Sequence, residues 1–405
     1  MNTFFSRLIF LLFLLVPLVF ISTNSPTILT PFVVPGYHYE SVKVLVFFIL
    51  GALLCITSLL SWGKKENTHR LSRTALLGIA LLIMSTILST VFSEFPTEAL
   101  WGSSERRHGV VLYGSLVLLY LLLQQRMSPE IRTMGGKGIF IGFILLSGYA
   151  LIQACGFGST LSNGDLIISS TLGNSAYLAG YALILLPGIL MEGNSRWFQY
   201  TLGTLAIATV LATESLSAVI IAILYLLYLG FRDYKKSRTG EMSMKLLHAP
   251  LFLLSFIILL GSITFFSPAS SPLSTKVQNF ETRIVLWHET LGVWKQDPLS
   301  MAFGNGADTL GNFLELQRSD KLRMYIPDVF YIDRAHNIFL DILFSFGIMG
   351  LLAFLIPVWM LLSKRIHHPG AHVILLFFAF FSFNIPVISH WLIFIFALST
   401  IKKKE

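Results

Sequence analysis

The chain has 405 residues, of which 54% are hydrophobic and only 12% charged, with a mean hydropathy of +0.73, whereas a soluble domain carries about 25% charged residues. That balance excludes a soluble globular protein and predicts a polytopic membrane protein whose first partner is the lipid bilayer. The net charge of +8 does not indicate nucleic acid, because the basic residues fall in short connections between apolar runs, where they set topology.

A membrane crossing needs roughly 17 to 25 largely apolar residues, and in chain order about twelve runs qualify. They are residues 8–22, 43–62, 74–92, 109–124, 138–154, 175–191, 198–213, 216–231, 247–267, 337–362, 371–384 and 388–401. The final stretch, "AHVILLFFAFFSFNIPVISHWLIFIFALST", reads either as one long span or as two short ones turning at "FNIPVIS". Placing both termini in the cytoplasm puts most of the 29 lysines and arginines inside, including the "KKKE" tail, so the even count is preferred. The first run lacks a small-x-small cleavage site in "VFISTNSP" and reads as a retained span. Cys55 and Cys155, the two cysteines, lie in or beside apolar runs, which removes a disulfide framework or thiolate metal site from consideration.

The expected fold is therefore all-α, with a membrane domain at 1–267, a long extracytoplasmic loop at 268–335 and a second membrane portion at 336–405. Loops of that length usually carry function. Within it "ETRIVLWHETLGVWKQ" places Ile284, Leu286, Leu291 and Val293 among polar positions, predicting a helix along the membrane surface, and "DPLSMAFGNGADTL" reads as a turn-rich break.

Chemistry concentrates at the outer ends of the spans. Arg283 offers a permanently charged fork that matches phosphate oxygens, and His336 can exchange a proton near neutral pH. On the residues alone, Arg283 reads equally as an arginine snorkelling to headgroups, and His336 as a helix-end histidine satisfied by a carbonyl. "WGSSERRHG" sets Glu105, Arg106, Arg107 and His108 before the fourth span, as an anion grip or a solvated boundary anchored by Trp101. Asp341 either orients His336 or Arg334 or lies at headgroup depth. In "GNSAYLAGYALILLPG", Asn174, Tyr177 and Gly180 suit close helix packing. There is no P-loop, HExxH or zinc-type cluster, and "GNGADTLG" follows no strand pattern.

Taken in order, "ALWGSSERRHGVVLY", "LGNSAYLAGYALILLPG", "TRIVLWHETLGVWKQDPLSMAFGNG" and "AHNIFLDILFSFGIMGLLAFL" resemble the O-antigen ligase and O-antigen polymerase superfamily of Wzy_C type, over most of the chain from about residue 75. The resemblance implies a GT-C-like glycosyltransferase at the outer face of the plasma membrane, acting without metal or other cofactor. It would take a glycan from a polyprenyl diphosphate and pass it to lipid A core, another repeat unit or a protein hydroxyl. Arg283 would grip the diphosphate and His336 would activate the acceptor hydroxyl, with inversion at the sugar carbon. Arg334, Arg106, Arg107, Trp287 and Asn337 are the further substrate-binding candidates. Leu216, in "ESLSAV", stands where ligases of this kind carry an arginine in an "SRGA"-like segment. Competing readings are a secondary transporter, which would place ionisable residues at mid-membrane, and a non-catalytic envelope assembly protein.

Overall fold

The computed structural model describes residues 2–19, 21–23, 36–38, 40–60, 73–104, 106–157, 160–162, 165–190, 195–213, 215–238, 273–326 and 332–362. The spans expected at 247–267, 371–384 and 388–401, together with Glu105 and Glu214, lie outside the described residues. The chain divides into two compact units, Met1–Gly142 with Phe280–Ile366 and Phe383–Glu405, and Phe143–Asn279 with His367–Ser382.

Among the described residues the apolar runs form helices. They are α1 (Asn2–Leu18), α2 (Glu40–Leu60), α3 (Arg73–Val91), a short α4 (Pro96–Trp101), α5 (Val110–Arg126), α6 (Pro129–Ala154), α7 (Ser175–Ile189), α8 (Arg196–Ala212) and α9 (Leu216–Arg238). After them come α10 (Leu273–Trp294), α11 (Pro298–Phe303), α12 (Leu310–Gln317), α13 (Asp320–Tyr325) and α14 (Ile338–Leu362). Among the described residues the only strands are two three-residue antiparallel ladders, Ile21–Thr23 with Gly36–His38 and Thr160–Ser162 with Asp165–Ile167. Ser41–Leu60, Pro129–Ala154 and Ile338–Ile356 are long and apolar enough to cross a membrane, and Thr3–Leu18, Leu76–Val91, Val110–Arg126, Ser175–Ile189 and Ala218–Leu229 are shorter apolar helices.

In the second unit α7 is buried on every side from Tyr177 to Pro187, as a helix that is apolar all round must be, and it packs on α8 and α9. Its N-terminus is closed by Asn174, whose Oδ1 accepts from Ala176 N at 2.8 Å. Just before it, Ser170 N donates to Gln153 Oε1 at 2.7 Å and Ser170 Oγ donates to the Leu146 carbonyl at 2.8 Å. These bonds satisfy a polar turn buried beside α6.

In the first unit α3 lies along α14, and α11 packs against α14 as well. The key to that packing is a break in α14 at Gly347, which has φ 66° and ψ −167°. A break interrupts the i to i−4 ladder, and the carbonyls of Phe344 and Ser345 accept instead from Asn305 N at 2.8 Å and Gly306 N at 3.0 Å. Ser93 Oγ then donates to the Asn305 carbonyl at 2.6 Å. The "GNGADT" segment is thus stapled between the turn after α3 and α14. A Cβ on Gly347 would run into the Ala302 carbonyl and Phe303 amide, and one on Gly304 into the Ser345 carbonyl and Phe346 amide. Gly347→Ala combines a collision with backbone and a conformation open essentially to glycine alone, which costs about 1–3 kcal/mol before any collision. We expect it to lower the unfolding temperature in detergent and broaden the size-exclusion peak. Gly292→Ala, at an α10 position with nothing within 4 Å, should be neutral or slightly stabilising.

α10, α12 and α13 build a core together with α14. Val285, Leu286 and Val293 of α10 join Leu310, Phe313 and Leu314 of α12, Leu322 of α13, and Ile332, Ala335 and Phe344. Phe313 stands edge-on to Phe95 at 5.2 Å and to Phe344 at 5.6 Å. The amphipathic helix expected here is present, but its buried stripe differs from the predicted one: Ile284 is 48% exposed whereas Leu286 is 1% exposed. The reason is that α12 and α13 fold back onto α10 and claim the Leu286 face. The stretch expected to be a turn-rich break contains α11, begun by Pro298 and capped by Asp297, whose Oδ2 accepts from Ser300 N at 2.9 Å.

Candidate functional site

The site grows from the N-terminus of α14. Asn337 Oδ1 accepts from Phe339 N at 3.0 Å and Leu340 N at 3.3 Å, so Asn337 acts as the N-cap. One turn in, Asp341 Oδ1 accepts from Ala335 N at 2.7 Å. On the other side Trp287 Nε1 of α10 donates to the Ala335 carbonyl at 2.8 Å. Ala335 is 0% exposed and is held through both its amide and its carbonyl. Its neighbours Arg334 and His336 are fixed with it. His336 takes φ 56°, a left-handed conformation that histidine adopts more readily than most residues.

Arg283 lies four residues before Trp287, on the same side of α10, and the Trp287 hydrogen bond therefore carries it to the 334–336 segment. From the other direction the loop after α4 delivers Arg106, which is 6% exposed. Asp308 anchors that loop: its Oδ2 accepts from Ser103 N at 2.7 Å and His108 N at 3.4 Å, and its Oδ1 lies 3.8 Å from Arg106 Nη1. Arg106 pairs through Nη2 with Asp333 Oδ2 and donates through Nη1 to the Asp333 carbonyl at 3.4 Å. Arg334 Nε lies 3.4 Å from Asp333 Oδ2, and His336 Nε2 lies 4.0 Å from Asp333 Oδ1.

Burial, and then Arg334, Arg283 and Arg106 in that order, push the His336 pKa down to about 3. The imidazole is consequently neutral at neutral pH and able to accept a proton. Burial also lowers the pKa of Arg283. A histidine whose folded pKa lies below its unfolded value of about 6.5 binds fewer protons when folded, so its contribution to stability is intact above about pH 6.5 and is lost as pH falls toward 3. His336→Asn should flatten that part of the stability profile, as read by thermal unfolding in detergent across this range.

Of the residues expected to form the site, Arg283, Arg334, Arg106 and His336 converge, while Trp287 and Asn337 hold the backbone that presents them. Arg107 adopts φ 63° in the same loop and is not among the cations acting on His336. The side chain of Leu216 lies outside the described residues. Sequence patterning does not single out Asp333 or Asp308. For Asp333 the only local signal is a carboxylate directly before Arg334 in "IDRAHN". No group of three or more His, Cys, Asp or Glu side chains suited to a metal ion occurs among the described residues.

The long apolar helices and a polar cluster at the start of one of them define an integral membrane protein of the helical class. Residues 201–355 match the family model described as O-Antigen ligase, Wzy_C, and the resemblance to the O-antigen ligase family is supported over that region. The matched region contains Arg283, Trp287, Arg334, His336 and Asn337, while Arg106 and Arg107 precede it. No curated protein matches the chain.

Proposed function

We propose that the chain is an O-antigen ligase-like glycosyltransferase that moves a glycan from a polyprenyl diphosphate to an acceptor hydroxyl, that of lipid A core, at the outer face of the plasma membrane. The observation that carries this reading is His336 set among Arg334, Arg283 and Arg106 at the start of an apolar helix. A lipid-linked diphosphate has its tail in the bilayer and its charge in water, so its chemistry belongs at such a boundary.

In the reaction, His336 takes the proton of the acceptor hydroxyl as that oxygen bonds to the anomeric carbon from the face opposite the diphosphate. The bond from that carbon to the phosphate oxygen breaks, and the sugar configuration inverts. Negative charge grows on the leaving diphosphate, where Arg283, Arg334 and Arg106 are already in place and need not reorganise. Bound phosphate also offsets the arginine field that disfavours imidazolium, so His336 becomes a stronger base once the lipid-linked glycan is present. No metal is needed in this scheme. The accompanying topology has about twelve spans, both termini cytoplasmic and the 268–335 segment extracytoplasmic.

The acid limb of kcat/KM, which reports the free enzyme's base, should lie well below the ordinary histidine range. Arg334→Gln removes the largest cationic influence on His336 and should shift the limb upward. The deciding experiment on the reading is deletion of the gene followed by analysis of envelope glycans. Loss of polymer attached to the core supports ligation, single-repeat products support a chain polymerase, and loss of glycan from protein supports a protein O-oligosaccharyltransferase. Unchanged glycans with altered solute uptake would overturn the transferase reading in favour of a transporter.

A further inference from the structure

The site holds its own anion. Asp333 places one carboxylate oxygen against both Arg106 and Arg334, the other 4.0 Å from His336 Nε2, and its carbonyl under Arg106 Nη1. We propose that Asp333 is an exchangeable counter-anion: it occupies the place between Arg106 and Arg334 that a phosphate of the lipid-linked donor takes, and pairs with His336 once that phosphate has taken over the arginines. This inference rests on the diphosphate reading above.

Two comparisons within the structure support it. Asp308, the other carboxylate near Arg106, has a side chain only 5% exposed and is tied to two backbone amides, so it is fixed. The Asp333 side chain is 26% exposed, more open than the Arg106 and Arg334 side chains at 8% and 6%. Arg106 and Arg334 are buried, and buried charges require a partner in every state of the site. Asp333 supplies it before the donor binds, whereas a carboxylate and a phosphate cannot share the same guanidinium face without strong repulsion. When phosphate arrives, the displaced carboxylate has its nearest remaining cation in His336, which becomes positive only as it accepts the acceptor's proton. The same side chain thus neutralises the arginines before catalysis and the imidazolium during it, as a positioning residue acting through Arg106, Arg334 and His336.

The test measures binding of inorganic pyrophosphate to the full chain in nanodiscs, by calorimetry and by thermal unfolding. Asp333→Asn, which keeps the shape and removes the charge, should bind pyrophosphate about tenfold or more tightly, should melt lower than wild type without pyrophosphate, and should recover when it is added. In glycan transfer it should lower KM and kcat together, a split that a merely structural role does not produce. Asp333→Glu, which retains the charge, should bind pyrophosphate no more tightly than wild type. Should Asp333→Asn fold poorly, Asp333→Ala carries the same expectation. Equal or weaker pyrophosphate binding by the neutral variants, with wild-type binding still abolished by Arg334→Gln, overturns the role of Asp333 and leaves the diphosphate reading intact. Wild-type protein that fails to bind pyrophosphate overturns both.

Discussion

His336→Asn is expected to lower glycan transfer by about 10²–10⁴, the usual worth of a positioned general base. Asparagine is the informative replacement because it tolerates left-handed backbone, which this position requires at φ 56°; the protein should therefore fold and insert normally. The loss should fall on kcat and on kcat/KM alike, with KM little changed, because the proton moves only in the transition state. The assay is transfer of a polyprenyl-diphosphate-linked glycan to acceptor by purified protein in nanodiscs. A variant retaining more than about a tenth of wild-type kcat would remove His336 from the role of base.

Arg283→Gln should cost about 10²–10³ in kcat, comparable to removal of one preorganised group that stabilises developing charge. Glutamine is nearly as good a helix former as arginine, so α10 and its Trp287 hydrogen bond to the Ala335 carbonyl should survive. Unlike the histidine variant, this one should also raise KM, because the diphosphate carries charge before the reaction as well as after it. It should move the His336 pKa upward, since Arg283 is one of the three cations that depress it. Arg323→Gln is the matching control: Arg323 forms a surface pair with Asp320 at 3.1 Å, and such pairs contribute little. Equal losses in the two arginine variants would show that the effect is not specific to the cluster.

What could be read from the sequence followed from interactions between near neighbours. The apolar runs identify α2, α6, α7 and α14 because hydrocarbon contact and helix burial demand continuous apolar stretches. The pairing of Arg283 with the "RAHN" segment comes from the resemblance to the O-antigen ligase superfamily and not from spacing, since some fifty residues separate the two. The remaining features depend on partners distant in sequence. Asp308 reads as a turn residue in "GNGADT", yet its carboxylate grips amides some two hundred residues earlier. Gly347 looks like any glycine in an apolar span until the Asn305 and Gly306 amides arrive at the carbonyls of Phe344 and Ser345. Ile284, expected on the same apolar face as Leu286, is left exposed because α12 and α13 decide which face of α10 is covered.

The central claim, that Arg283 and His336 transfer a glycan from a lipid diphosphate, is tested most directly by reconstitution. Wild-type protein in nanodiscs, given a polyprenyl-diphosphate-linked glycan and lipid A core, is expected to release polyprenyl diphosphate in step with the appearance of glycosylated acceptor of inverted anomeric configuration. His336→Asn and Arg283→Gln should lose both products together. Transfer that proceeds at wild-type rate in both variants, or the absence of transfer to any hydroxyl acceptor by the wild type, would contradict it.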